Sequence, residues 1–291
     1  MAVPLQLDAV RSRQGQPPAL SIYREYQPDP AVAAAVACTW QGVAGWPRPM
    51  RLLPDGCLDL VWDGHHARAV RPAARPVRRP VGETAIVTGI RVRPGWAAAV
   101  LGMPARDLPD VAPLADFWSP LAARRLQTAL EAVTTPAECR ALLTTAVARR
   151  LADSTGPHPA VLGAVSLLGE PTATASDAAR CTGLSPRQLR RLFDHHVGLP
   201  PKALQTILRF QRFRAWGQAA GQERILLGRA AAECGYFDQA HLCRDCARLA
   251  GVTPSILLDR SPSPRGFDTA GGRIGRGAAA VAGQYAHATE R

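Results

Sequence analysis

Lysine is almost missing from this chain: of its 35 basic residues only Lys202 is lysine, the others being arginine in a sequence also rich in alanine. That bias excludes reading every arginine as selected for a polyanion, so the net charge of +12 narrows the partner only to a class, nucleic acid or an acidic membrane surface. No stretch approaches the roughly 18 uncharged apolar residues that a membrane-crossing helix needs. The amino terminus has no basic region followed by an apolar run, so no secretion signal is expected. The seven cysteines are odd in number and scattered (Cys38, Cys57, Cys139, Cys181, Cys234, Cys243, Cys246), which excludes a disulfide scaffold and points to reduced thiols in a cytoplasm. A nucleophile elbow, a phosphate loop and a metal-ligand set are also missing, so no cofactor or metal is expected.

The few candidates for such chemistry have simpler readings. Asp55 and Asp59 have the spacing of an acid and a base, yet Asp55 precedes a glycine and reads as a turn residue. His65-His66 falls in a loop and reads as solvated. Cys243-x-x-Cys246 has the letters of a metal motif, but on a helix one thiol faces in and the other out, with no second pair at ligand spacing.

At 291 residues the chain exceeds one typical domain, and its 47% hydrophobic content suffices for real cores. The fold class expected is α+β, with a β-rich N-terminal domain followed by an all-α domain containing two helix-turn-helix motifs. Residues 1–20 are polar and without period and are expected to be flexible. Residues 21–120 hold short apolar runs (Met50 to Leu53, Cys57 to Trp62, Ala85 to Val92) separated by turn signals at Pro54-Asp55-Gly56, Asp63-Gly64 and Pro94-Gly95. They read as a β-rich sensor or oligomerisation domain, with helices near Ala31 to Cys38 and Trp96 to Leu101. Arg68 to Pro80, in which arginines alternate with prolines, reads as a solvated loop, the alternative being a DNA-binding strip. Residues 121–156 read as two amphipathic helices broken near Pro136, a helical linker. Residues 157–258 read as all-helical, and the tail 259–291, rich in Gly, Ala, Arg and Ser, as disordered.

The helical segment contains one phrase twice. Ser185 is an N-cap, Pro186 stands at the first helical position and Gln188 completes a capping box. Leu189, Leu192 and Phe193 then share one face, which turns Arg187, Arg190 and Arg191 outward. In the second copy Ala230, Ala231 and Cys234 form a short helix, Gly235-Tyr236-Phe237 the turn and Asp238 the cap. Leu242, Cys246 and Leu249 look inward, and Gln239, Ala240, His241, Cys243 and Arg244 form the outer surface. Each copy is a helix, a tight turn and a second helix. Residues 201 to about 219 read as one long spacer helix, stiff enough to hold two such helices about 34 Å apart, one turn of DNA.

At these residues the sequence resembles the AraC/XylS family of bacterial transcriptional regulators. The likeness rests on Leu184-Ser185-x-Arg187-x-Leu189-x-Arg191-x-Phe193, Gly198-x-x-Pro201, Arg209-Phe210, Ala231-x-x-Cys234-Gly235-Tyr236-x-Asp238-Gln239-x-His241-Leu242-x-Arg244 and Gly251-x-Thr253-Pro254. It implies a seven-helix DNA-binding domain in which Arg187, Arg190, Arg191, Gln239, His241, Cys243 and Arg244 lie at the major groove. Cys246, where the family usually has phenylalanine, departs from the pattern. Leu53-Pro54-Asp55-Gly56-x-x-Asp59-Leu60 and Gly89-Ile90-Arg91-x-x-Pro94-Gly95 are similar to the uncharacterised β-rich domain of some members. The partners so implied are double-stranded promoter DNA, a small-molecule effector, RNA polymerase and a second copy of the chain. The competing readings are an enzyme whose β-rich domain is catalytic and is brought to DNA by the helices, and a protein whose basic helices bind acidic proteins.

Overall fold

The computed structural model describes residues 22–43, 49–80, 86–219 and 227–258. The expected loose ends, 1–20 and 259–291, lie outside the described residues. The N-terminal part is built on β1 (Ile22–Tyr26), β2 (Val36–Val43), β3 (Pro49–Leu52), β4 (Leu58–Trp62), β5 (Ala67–Val70), β6 (Val77–Pro80), β7 (Ile86–Val92) and β8 (Val111–Pro113). Six of these form an antiparallel sheet in the order β1-β2-β7-β4-β5-β8, and β3 pairs with β6 in a second, two-stranded sheet.

The apolar alternation of β4 explains how the main sheet acquires an inside: Leu58, Leu60 and Trp62 are buried and Asp59 and Val61 face the other way. Against that inner face pack α1 (Ala97–Leu101), α2 (Pro120–Ala132) and α3 (Pro136–Ala152), whose Leu101, Leu126, Leu130, Leu143 and Val147 join Leu60, Ile90 and Val92 in one core. Each such side chain contributes about 1.5–3 kcal/mol on leaving water. On the opposite face Trp40 lies across the β2–β7 register from Gly89, where any Cβ would stand 2.3 Å from the indole. Glycine is therefore required there by close approach.

Three expectations need correction. The alanine run Ala31 to Cys38 is not a helix: a 3-10 turn at Pro30–Val32, capped by the Asp29 carboxylate, leads into β2. Helix propensity gives way because residues 36–43 are paired on both edges, with β1 and β7, and Trp40 is buried there. The stretch from Arg68 to Pro80 is not a loop throughout, since β5 and β6 occupy its ends; Arg68 and Arg71 are held by Asp63 and Asp110 at 3.4 and 2.7 Å. The helices at 121–156 exist, broken at Pro136 as expected, but they are no free linker, because their apolar faces complete the core of the sheet.

Among the described residues seven helices follow: α4 (Pro159–Leu168), α5 (Ala175–Cys181), α6 (Pro186–His196), α7 (Pro201–Ala219), α8 (Leu227–Glu233), α9 (Gln239–Ala250) and α10 (Pro254–Leu258). They share a second core, in which Phe193, Phe210 and Phe213 are fully buried. Among the described residues no helix is long and apolar enough to cross a membrane.

Candidate nucleic-acid interface

The first helices of the pairs α5–α6 and α8–α9 end alike. Gly183 and Gly235 both take left-handed backbone, with φ of +67° and +81°. The next residues, Leu184 and Tyr236, donate their N–H to the carbonyls of Ala179 and Ala231 at 3.1 and 2.9 Å. That is the hydrogen bond of a glycine-ended helix folding back on itself. The second glycine is doubly constrained, because a Cβ on Gly235 would stand 2.1 Å from the carbonyl oxygen of Pro171.

The second helix of each pair then starts on a cap. The Ser185 hydroxyl accepts from the Gln188 N–H and the Gln188 amide oxygen accepts from the Ser185 N–H, a reciprocal capping box. In the other pair the Asp238 carboxylate accepts from the His241 N–H at 2.6 Å. Counting from these caps, Leu189 corresponds to Leu242 and Phe193 to Cys246, and all four are buried. Burial together with the neighbouring Cys243 and Asp245 pushes the Cys246 thiol up to about 12, so it stays protonated. Cys243 is only half-buried, and no group of three metal-ligating residues occurs among the described residues.

With the apolar faces turned in, Arg187, Arg190 and Arg191 of α6 are exposed, as are Gln239 and Arg244 of α9. Arg191 and Arg244 stand at corresponding positions. Arg190 touches only Asp194, at 3.9 Å and well exposed, a pair too weak to hold it back from a ligand.

His241 is placed differently from its neighbours. It is half-buried, with its ring edge-on to Tyr236 at 5.2 Å, Nε2 3.2 Å from Nη1 of Arg209 and 3.6 Å from Oδ2 of Asp245, and Nδ1 3.5 Å from the Phe237 N–H. By position it matches Gln188, the capping-box residue of the first copy. The spacer arginines are also engaged inside the protein. Arg209 lies over the Tyr236 ring, Arg212 donates to the carbonyls of Cys234 and Gly169 that end α8 and α4, and the buried Arg214 donates to Gln211 at 3.2 Å. Arg209 and Arg212 thereby tie α7 to its neighbouring helices.

A family model described as a helix-turn-helix domain matches residues 178–260. The segment is an AraC-type helix-turn-helix domain. A second model, described as a domain of unknown function (DUF6597), matches residues 24–112. A search of curated proteins gives no match. Among solved structures the chain is similar to ToxT from Vibrio cholerae O395, at 8% identity and a TM-score of 0.41 over 77% of this chain and 98% of that one. A 1.65 Å structure of ToxT from Vibrio cholerae gives 11% identity and a TM-score of 0.40 over 83% and 98%. An unsaturated fatty acid-bound ToxT from strain SCE256 gives 9% and 0.40 over 88% and 100%.

The helix-turn-helix domain is in contact with the N-terminal part at α6 and α7. Beyond α6, Gly198 lies against Ala105, and α6 itself packs on α1 and the 3-10 turn Ala105–Asp107. The segment Leu53–Gly56, between β3 and β4, seats on α7: Leu53 enters the helical core, Leu204 and Ile207 close over Gly56, and the Gln211 amide donates to the Pro54 carbonyl. Asp55 anchors that segment from the other side. One of its oxygens accepts from the Cys57 N–H at 2.9 Å and the other lies 3.0 Å from Nε of Arg91, which also meets Glu25 at 3.1 Å and Asp59 at 3.2 Å. Asp55 and Asp59 thus share one guanidinium as structural anchors, with the Trp40 indole N–H donating to Asp59. Burial, helped by Asp55 and opposed by Arg91, pushes the Asp59 carboxyl up to about 6.

The end of α6 contains a titrating group as well. His196 Nδ1 is buried without a hydrogen-bond partner among the described residues, and burial first, then the charges of His195 and His158, pulls its pKa from 6.5 down to about 4. Between these values the unfolded chain binds a proton that the folded chain refuses, so stability is expected to fall as pH drops through that window. Urea unfolding at pH 7 and pH 5 checks it: His196→Asn should show a smaller loss between the two than the parent.

Proposed function

We propose that the protein is a sequence-specific DNA-binding transcription regulator whose N-terminal domain controls how the helix-turn-helix domain meets DNA. The observation that carries the reading is the pair of capped helices, α6 and α9, each fixed by a buried apolar face and each presenting arginine outward. Arg187 and Arg190 are the base readers of the first unit, since a guanidinium can donate two parallel hydrogen bonds to O6 and N7 of guanine. Arg191 and Arg244, at matched positions, contact base or phosphate. Gln239, at the first turn of α9, reads adenine, and Cys243 lines the same surface. A spacer of 19 residues is about 28 Å long, which suits two units entering successive major grooves.

Regulation follows from where the N-terminal domain touches. An effector bound there, or a second copy of the chain, acts by shifting the population of conformations in which Leu53–Gly56 is seated on α7 and α6 on α1. RNA polymerase is the partner that such a regulator, once bound beside a promoter, would engage. Gln211→Ala is expected to leave the buried Pro54 carbonyl unpaired at a cost of about 1–3 kcal/mol. Thermal unfolding checks the loss, and a changed DNA affinity in the same variant, far from any reading residue, checks the coupling.

The experiment that tests the function is selection of bound duplexes from a random pool, followed by affinity measurements over a series of salt concentrations. A common motif should emerge and log affinity should fall linearly with log salt, because neutralised phosphates release counterions. Recovery of no motif, with binding governed by salt alone, contradicts a sequence-specific regulator.

A further inference from the structure

The two helix-turn-helix units differ by one inserted residue, Phe237. In the first, Leu184 makes the folded-back hydrogen bond and Ser185 caps at once; in the second, Tyr236 makes that bond and Phe237 intervenes before the cap Asp238. Leu184 and Tyr236 both pack toward the helical core. Phe237 does not: it is 93% exposed, whereas Phe193, Phe210 and Phe213 of the same domain are fully buried. The ring belongs to none of the apolar clusters of the described residues, so its side chain is free to meet a partner.

Its place says with what. Phe237 is the residue next to the N-cap of α9, beside the exposed Gln239 and Ala240, and the N-terminal residues of a reading helix are those that reach base edges. Its position is also fixed. The Phe237 N–H faces Nδ1 of His241, and that ring is held by Tyr236, Arg209 and Asp245. Arg244, exposed about two turns further along α9, suits a polyanion, and the apolar feature available in a major groove is the 5-methyl group of thymine.

Resting on the DNA-binding reading above, we propose that Phe237 is a specificity-determining residue of the second unit, packing its ring on the 5-methyl group of a thymine. His241 is then a positioning residue that holds the turn, and Phe237 adds an apolar base contact beside Gln239 at this end of α9.

The test uses the full chain and the duplex it selects from a random pool, with each thymine of the second half-site replaced in turn by uracil, which deletes the methyl group and nothing else. Parent and Phe237→Ala are compared by equilibrium binding. Alanine is expected to lose about tenfold in affinity with an unchanged salt slope. One uracil position should weaken the parent by a similar factor and leave the variant indifferent, a coupling only direct contact explains. Equal binding by parent and variant overturns the proposal. So does a loss with no uracil position coupled to it, which would mean a structural role, and so does intact DNA binding with lost transcription, which would mean a protein partner for the ring. A parent that selects no duplex at all overturns the regulator reading itself and this proposal with it. Unchanged melting of Phe237→Ala separates loss of contact from loss of fold.

Discussion

Arg187→Ala and Arg190→Ala are expected each to lower affinity for the selected duplex by about 5- to 150-fold, because a bidentate guanine contact is worth roughly 1–3 kcal/mol. Together they should bring specific binding close to the level of an unrelated duplex. Both arginines stand on the exposed side of α6, away from Leu189 and Phe193, so their removal leaves the core untouched and the melting temperature nearly unchanged. Lysine at either position separates charge from geometry. It keeps the positive charge and much of the salt dependence but cannot present two parallel donors, so it should fail to rescue discrimination between guanine and adenine. Competition binding with single-base variants of the duplex reads that directly. Alanine and lysine variants that discriminate like the parent would remove these two residues from the reading surface.

Phe193→Ala should produce the largest loss of stability. The ring is fully buried where α6 meets the helical core, and removing it costs about 3–5 kcal/mol in transfer and cavity terms. For a helical domain of about 100 residues that is a fall of roughly 12–40 °C in melting temperature. Cys246→Ala, at the matching position of α9, deletes a single sulfur from a site that is just as buried and should shift melting much less. The contrast matters for function. The first reading helix is pinned by a large ring, and the second by a thiol together with the polar contacts of His241, Arg209 and Asp245, so Phe193→Ala should lose DNA affinity along with stability while Cys246→Ala retains most of both. Calorimetry and binding on the two variants check this, and comparable losses in both would show that the units are anchored equally.

The helical domain was legible because its boundaries are written in short-range chemistry. Ser185 with Gln188, Thr174 with Asp177 and the glycines at 183, 235 and 251 act within a few residues, and the structure places caps and left-handed turns at each. The β-rich part was legible only where apolar runs alternate beside a turn, as in β4 and β7. β2 was misread because its alanines speak for helix locally, while the pairing that decides for strand comes from β1 and from β7, which lies some fifty residues away. β5 was hidden by Arg68 and Arg71, whose partners, Asp63 and Asp110, no local pattern announces, and β6 lies in the same arginine- and proline-rich run. The apolar faces of α2 and α3 were visible, but not what covers them. The same limit explains the site. Exposure of Arg187, Arg190 and Arg191 follows from helical period, whereas the inward ties of His241 and Arg209 depend on where α7 crosses α9.

Chemical interference mapping on the selected duplex tests the two-groove reading most directly, with guanine N7 methylation as the probe and Arg191→Ala and Arg244→Ala beside the parent. Two clusters of interfering guanines are expected in successive major grooves on one side of the duplex, about 10–10.5 base pairs apart, the first weakened by Arg191→Ala and the second by Arg244→Ala. A single cluster, or two that respond alike to both substitutions, would contradict the claim that α6 and α9 each read a groove.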